Sequence, residues 1–483
     1  MAMRIVNNMP AIQTLNMLNA NSDHLAKSLQ KVSSGMKINS AADDASGYAI
    51  SERMRVQLRG LDQANRNTQN GISMLKVAEG AVQSTVDILK TLKEKVVNAA
   101  NDTNTDMDRQ TIQKELNQSI DQINDNANVT YNGKYLIDGS HNSQVVHDEC
   151  RDINGVRRTN VLSDLDRGTY THLTNSSFDK STQWNTKLTD LKNRNGESLN
   201  IQSDDTVTIS VVQEGKPYTM SFQVGTNDLY DALIYNTYNL NYGLGAVGVM
   251  YGGTVIDHPP FWTGADRPTG SWTPYDAAYI GHDAAGNNVY TADGEPALTM
   301  LSGGQGLDYQ VAGFTVSITD TEGNIKKSVN AVLDAWTETI RAQAESPDNS
   351  LVLQVGTKAN QSIKVGFTDM RARALGLQGA DGMVLNISTQ IYANAAVNVL
   401  DNAMQKALDE QTKIGSIQSR LAYTSANLTT ASENVTASES TIRDADMARK
   451  MTEYTKHNLL LQASQSMLSQ ANQSASNVLS LLQ

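Results

Sequence analysis

The chain has 483 residues, a net charge of -12 and a pI of about 5.1, so it is too long for one ordinary core and too acidic to favour nucleic acid or an anionic membrane as a partner. No apolar run reaches the roughly 20 residues of a membrane span. The first residues, MAMRIVNNMPAIQTLNML, lack the continuous apolar stretch and small-residue cleavage site of a secretory signal, and the lone Cys150 rules out an intramolecular disulfide.

The scarce residues divide the chain in three. All four tryptophans (Trp184, Trp262, Trp272, Trp336), four of the five phenylalanines and seven of the eight prolines lie between 141 and 350. The flanks, nearly free of proline and rich in Gln, Asn, Ala, Ser, Leu and Met, read as helix. The first predicted helix carries Ile5, Met9, Ile12, Leu15, Leu18, Leu25, Leu29 and Val32, mostly three or four residues apart, as one stripe. A second runs over about 48–103 with Met74, Val77, Val82, Val86, Leu89, Leu92 and Val96. DTNTDMD (102–108) starts like a calcium loop but has Met107 where Gly is needed and Gln113 where Glu is needed. A helix–helix turn with Asp106 or Asp108 as N-cap is the better reading. A third helix follows over about 106–126 with Ile112, Leu116, Ile120 and Ile123.

The middle opens on HNSQVVHDECRD, where His141, His147, Asp148, Glu149 and Cys150, with His172 further on, are zinc-type ligands whose spacing fits no standard site. A polar connector is expected there, with no metal. Sequons such as that at Asn175 read as chance. TVTISVVQEGKPYTMSFQVG (206–225) alternates on both sides of an EGKP turn and predicts a hairpin. GLGAVG (243–248) matches a dinucleotide-binding fingerprint in letters, but no strand precedes it and Gly252-Gly253 would break the helix it needs, so it reads as a loop. Trp262, Trp272, Tyr275 and Tyr279 read as core aromatics, with a sugar-binding platform as the alternative. A second hairpin is expected over 309–329 with a TEGN turn, an amphipathic helix over 329–343 and a third hairpin over 350–367. The C-terminal flank returns to helix with Val397, Leu400, Met404, Leu408, Ile414, Ile417, Leu421 and Leu428, then Ile442, Met447, Met451, Leu460, Met467 and Leu468.

Narrow stripes at both ends are seams for helix–helix contact, and the simplest pairing is with each other, antiparallel. The fold class is therefore α+β: a long antiparallel helical, coiled-coil core formed by both termini, with a β-rich inserted outer domain. The divisions are 1–45 plus 450–483 as a terminal coiled coil, 46–140 plus 351–449 as a helical rod with the hairpin near 350–367, and 141–350 as a surface-exposed insertion. The chain ends on NVLSLLQ, whose Val478, Leu479, Leu481 and Leu482 need cover in a soluble protein. The N-terminal seam from Ile5 through Ile12 and Leu15 to Leu18, together with neighbouring copies, is the expected cover. No nucleophile elbow, P-loop or paired carboxylates stand out, so neither an enzyme nor a cofactor is expected.

Both ends resemble bacterial flagellin, the subunit of the flagellar filament. The resemblance runs through SLQKVSSGMKINSAADDASGYAISERM (28–54), LDQANRNTQNGISMLKVAEGA (61–81) and NGKYLIDGS (132–140). It resumes in DMRARALGL (369–377), IQSRLAYTSANLTTASENVTASESTIRDADMA (417–448) and LLLQASQSMLSQANQSASNVLSLLQ (459–483). It implies a self-assembling helical homopolymer for swimming motility, with the outermost termini as an inner tube, and Asp43, Asp44 and Arg53 among the subunit contacts. It also implies export of the unfolded chain through the flagellar secretion apparatus. An export chaperone, a filament cap and hook–filament junction proteins would be partners, and the extracellular filament the location. Flagellins detected by the animal toll-like receptor carry an Arg, a Leu four residues later and a downstream Glu. The matching positions here are Thr91, Lys95 and Glu115, so weak recognition is implied. The terminal leucines resemble the tail that cytosolic innate receptors recognise. The family's O-glycans make Ser176 and Ser177 candidate attachment sites, and an adhesive or glycan-binding role for 141–350 is the alternative added function.

Overall fold

The computed structural model describes residues 8–146, 168–182, 185–235, 248–251, 254–256, 279–292, 294–295, 297–302 and 304–481. They form two compact units, one of 1–70, 354–362 and 421–483, the other of 71–353 and 363–420. Three long helices, α1 (Met9–Ser34), α2 (Ala45–Ala99) and α3 (Asp106–Ala127), open the chain. Two more, α5 (Gln390–Arg443) and α6 (Met447–Leu481), close it around a β-containing middle. The α+β reading, helical termini with a β-rich insertion, is what forms.

In the larger unit, α2 buries Leu75, Ala78, Val82, Val86, Leu89, Leu92 and Val96, a run at three- and four-residue spacing that keeps one face covered. α3 adds Leu116, Ile120 and Ile123, and α5 adds Ala393, Ala396, Leu400, Ala403, Ala407 and Ile414. Alanines on α5 let it approach closely. Polar ties on the rim fix an antiparallel register between α2 and α5. Lys93 pairs with Asp401, Gln411 Nε2 donates to Gln83 Oε1 at 2.6 Å, and Gln418 Nε2 to Glu79 Oε2 at 2.7 Å.

The turn before α3 is closed from within. Thr105, not Asp106 or Asp108, is the N-cap: its hydroxyl accepts from Asp108 N at 3.3 Å while Asp108 Oδ2 accepts from Thr105 N at 2.9 Å. The β-region backbone at Thr105 suits a cap, and Asp108 sits where it can return the bond. Buried Arg109 donates to Ala99 O (2.9 Å) and Asn101 O (3.2 Å) and pairs with Asp106, so a guanidinium neutralises the loop that resembled a calcium site.

The predicted first hairpin is β4 (Thr206–Gln213) with β5 (Lys216–Gln223), after short β1 (Thr130–Tyr131), β2 (Lys134–Tyr135) and β3 (His172–Asn175). Its turn residues Glu214 and Gly215 have φ of 50° and 73°, the left-handed pair that matches the twist of a two-residue loop. The second predicted hairpin does not form. β11 (Val311–Thr319) pairs with β4 instead, and only a Thr319–Ile325 bridge remains across TEGN. Gly313 of β11 lies against α5, where a Cβ would stand 2.6 Å from Val399 Cγ2, and Asn402 Nδ2 donates to Ala312 O at 2.8 Å. The helix expected over 329–343 stops early: α4 is Lys327–Leu333, and Thr337–Ile340 becomes β12 beside β3. Between them Trp336 meets Phe314 and Phe178 edge-on at 5.7 and 6.5 Å.

A second sheet has the order β12-β3-β10-β6-β7, with β6 (Gly248–Tyr251), β7 (Thr254–Ile256) and β10 (Leu298–Leu301), while β8 (Tyr279–His282) pairs with β9 (Asn288–Tyr290). Gly248 therefore opens a strand where a dinucleotide fingerprint needs a helix; 243–247 lie outside the described residues. The third hairpin forms as β13 (Leu351–Gln354) and β14 (Ser362–Val365). His147, Asp148, Glu149 and Cys150 lie outside the described residues, while His141 Nδ1 meets Asn349 O at 3.1 Å. Asn175 is fully buried, with Nδ2 donating to Val332 O at 2.9 Å, which accounts for its sequon as a packing residue.

His172 and Asp334 give the insertion opposing pH dependences. His172 is buried, Nδ1–H donates to Tyr170 O at 3.2 Å, and burial pulls its pKa from 6.5 to about 4. The unfolded chain then takes up the proton first, so stability falls as pH drops from 6.5 towards 4. Burial pushes Asp334 up from 3.8 to about 6, against donation from Val316 N and Asn398. A raised carboxyl stabilises below 3.8, and that stability is lost as pH rises through 6. Each contributes about 3 kcal/mol, in opposite directions. Between pH 4 and 6 these two contributions largely cancel each other. Asp334→Asn should therefore lose about 2 kcal/mol more than the parent on acidification over that range. Chemical denaturation of both chains at both pH values checks this, and a variant with the parent's pH dependence contradicts it.

Candidate self-assembly interface

The smaller unit is built on α1 against α6. Asn8 caps α1, its side chain accepting from Ala11 N at 3.2 Å, and Pro10 sits in the first turn where its missing N–H costs nothing. The partly or fully covered positions of α1 include Ala11, Thr14, Leu18, Asn21, Leu25, Ser28 and Val32; those of α6 include Tyr454, His457, Leu461, Ser464, Leu468 and Ala471. Both runs keep a three–four spacing, the seam of a coiled coil. Small and polar residues supply half of it. Asn21 Nδ2 donates to Ser464 Oγ at 2.8 Å, Asn8 Nδ2 to Ala471 O at 3.4 Å, and His24 stacks on His457 at 5.3 Å.

This corrects the single stripe expected from sequence. Leu18, Leu25 and Val32 are partly covered, but Met9, Ile12, Leu15 and Leu29 are exposed. Ile12 is 46% and Leu15 45% exposed, as are comparable shares of Met17 on α1 and Met447, Met451, Leu459, Leu460 and Met467 on α6. In α1 only Ser28 is buried. Ile5 and Leu482 lie outside the described residues; α6 continues to Leu481, and the side chains of Val478, Leu479 and Leu481 are likewise outside them. The pair therefore leaves many of its large apolar side chains on its outer faces.

The loop between α1 and α2 is tied to the α5–α6 junction. Gly35 ends α1 at φ 71°, Met36 bridges Asp444, Lys37 N donates to Arg443 O at 2.8 Å and Ala445 N to Gly35 O at 2.9 Å. Asp43 accepts from Asn39 N and Ser40 N and pairs with Lys31 at 3.3 Å. Slight burial raises its pKa, but those donors outweigh it and hold the carboxyl below the usual range. Asp44 caps α2, its carboxylate accepting from Gly47 N at 3.0 Å. A Cβ at Gly47 would lie 2.4 Å from Asp44 Oδ2 and 2.8 Å from Ile38 Cδ1, so a side chain there would displace the capping carboxylate and Ile38. Arg53 is exposed and makes no hydrogen bond or ion pair among the described residues. Sequence reasoning missed the clamp beside it. Arg443, covered, lies over the Tyr48 ring at 5.2 Å and holds Glu52 at 2.6 Å, while Arg55 Nε reaches Glu439 at 2.9 Å. Only three-dimensional pairing brings these charges together, so no local signal marks them.

Comparison with known proteins fits this geometry. The profile of the bacterial flagellin N-terminal helical region matches residues 5–142, and that of the C-terminal helical region matches 397–482. A flagellin of Clostridium tyrobutyricum is 31% identical over 472 residues, covering 98% of this chain and 99% of the relative. The chain belongs to the bacterial flagellins. A Bacillus subtilis flagellin is 27% identical over 99% of this chain and 100% of its own, and one of Aquifex aeolicus 29% identical over 100% of both. Flagellin is a structural protein that polymerises into the extracellular filament, not an enzyme, and the outward apolar faces of α1 and α6 suit that work. No described helix is long and apolar enough to cross a membrane.

The remaining positions lie in the larger unit of this flagellin. Thr91 is exposed and donates to Asp87 O at 3.1 Å, and Lys95 Nζ pairs with Glu115 at 3.0 Å. Ser176 is exposed just after β3, and Ser177 is half-buried, its N–H donated to Asn175 Oδ1 at 2.8 Å. Trp262, Trp272 and Tyr275 lie outside the described residues, and Tyr279 begins β8.

Proposed function

We propose that this flagellin polymerises by burying against neighbouring copies the apolar residues that its own α1–α6 pairing leaves uncovered. The carrying observation is the exposure of Ile12, Leu15, Met17, Leu459 and Met467 on helices whose mutual seam draws about half its residues from small and polar side chains. In this reading 1–45 and 450–483 form the inner tube, 46–140 and 351–449 the rod, and 141–350 the outer surface. Leu18 closes the inner seam. Ile5, Val478, Leu479, Leu481 and Leu482 complete the contact, and Asp43, Asp44 and Arg53 shape or supply the edge beside it. The chain is exported unfolded with a chaperone, is placed beneath a cap, and starts on junction proteins; the absence of any disulfide suits passage as an extended chain.

Deleting residues 477–483 removes four large apolar side chains, each worth roughly 1.5–3 kcal/mol when buried. The truncated chain should keep a folded insertion and need at least about a hundredfold more protein to polymerise. Normal filaments at the parent concentration would contradict the contact.

Host recognition follows from the pair at 95 and 115. An ammonium stands where recognised flagellins carry a leucine, and it engages Glu115 within the monomer, so a receptor must break that pair and forgo an arginine at Thr91. A reporter-cell assay should give at least about tenfold lower potency than a strong agonist flagellin; equal potency would overturn this. Ser176, solvent-facing, is the proposed glycan attachment point of the two serines.

A further inference from the structure

We infer that the exposed methionines of α1 and α6 are an oxidation site through which peroxide-class oxidants block assembly of the free subunit. The inference rests on the polymerisation reading above. Met9, Met17, Met447, Met451 and Met467 lie on the outward faces of these two helices, with Met17 66% and Met467 64% exposed. Five thioethers on one pair of helices is a chemical choice distinct from apolarity alone: leucine would bury as well and does not oxidise. The core methionines are the counter-case, Met300 and Met370 being 0% and 1% exposed in the other unit.

The chemistry is a two-electron oxygen transfer. The sulfur attacks the peroxide, the O–O bond breaks, an S–O bond forms, and the peroxide is reduced to water. A flexible apolar side chain becomes a polar sulfoxide. In the monomer this costs little, because the side chains already face water. At a subunit contact the sulfoxide must be desolvated without a designed partner. Once the contact is made the sulfurs are covered, so filament should resist what the subunit does not. A sulfoxide reductase with a dithiol reverses the change, releasing water and leaving a disulfide on the reductant.

The test treats full-length monomer with hydrogen peroxide and maps sulfoxides by peptide mass. Of the five, Met17 and Met467 should oxidise first, with Met9, Met447 and Met451 following; Met107, 74% exposed, should react as readily, and Met300 and Met370 should be spared. Oxidised monomer should elongate filament seeds with a critical concentration raised about tenfold or more. Reductase treatment should restore it. The same five positions should oxidise several-fold more slowly in preformed filament. Met107 and Met383, exposed in the other unit, provide the control: a Met107→Leu, Met383→Leu chain should stay sensitive. Unchanged elongation with the five sulfoxides confirmed, failure of reductase to restore it, or loss of sensitivity in the control chain would each overturn the inference while leaving the polymerisation reading intact. Failure of untreated monomer to elongate seeds would overturn both.

Discussion

Replacing Ile12 and Leu15 together by aspartate should abolish filament formation and leave the insertion's unfolding unchanged. Both residues are about half exposed in the single chain, so the monomer loses little beyond helix propensity, roughly 0.5 kcal/mol per residue. In the polymer the loss is of another size. Each site forfeits roughly 1.5–3 kcal/mol of apolar burial and must desolvate a carboxylate with no partner in reach. Every subunit carries both changes, so the critical concentration should rise by more than about a thousandfold. Sedimentation of seeded reactions reads the polymer, and circular dichroism reads the monomer. Alanine at the same positions keeps neutrality and should fall between parent and aspartate. Polymerisation of the aspartate variant at parental concentration would show that these side chains face away from every contact.

Lys406→Met should destabilise the larger unit by roughly 3–5 kcal/mol, whereas Glu338→Leu with Lys406→Met should recover most of that loss. Lys406 Nζ lies 3.3 Å from Glu338 Oε2, with both side chains almost wholly covered. Burial pulls the Lys406 pKa down and the charge of Glu338 opposes it, the signature of a pair that ionises at a cost. Removing the lysine strands a carboxylate whose two oxygens accept no hydrogen bond and whose next cation, Arg341, is 3.8 Å away and already committed to Asp409 at 2.6 Å. Removing both partners removes the desolvation cost with the attraction. Denaturant unfolding of the three chains decides it. A double variant as unstable as the single one would mean that the pair itself, and not its isolated half, holds β12 to α5.

How much of this was legible depended on how local each signal is. The buried run of α2 from Val82 to Val96 and the β4–β5 hairpin were readable because periodicity and a two-residue turn are properties of neighbouring positions. TEGN misled for the opposite reason: β11 finds its partner in β4, about a hundred residues earlier, and alternation alone does not name the partner. The segment 329–343 carries a helical pattern through Leu333, then the β-branched Thr337, Thr339 and Ile340, whose pairing with β3 overrides it. Thr105 took the cap because its backbone is extended while Asp108 is already in the helix. At the candidate interface, sequence identified the right helices and assigned the wrong faces. Large apolar residues are normally turned inward, so Met9, Ile12, Leu15 and Leu29 were placed with Leu18 and Leu25. In the chain the inward places go to Ala11, Thr14 and Asn21 beside Leu18 and Leu25; on the proposed reading, other subunits cover the rest. A rule that turns every large apolar residue inward within one chain misplaces them.

Side-chain-resolution electron cryomicroscopy of the filament tests the central claim most directly. Ile12, Leu15, Met17, Leu459 and Met467 should lie packed between subunits, with Asn21 and Ser464 still paired within each chain. Filaments in which those apolar side chains face open solvent, or in which α1 and α6 have separated to bury them within one subunit, would contradict it.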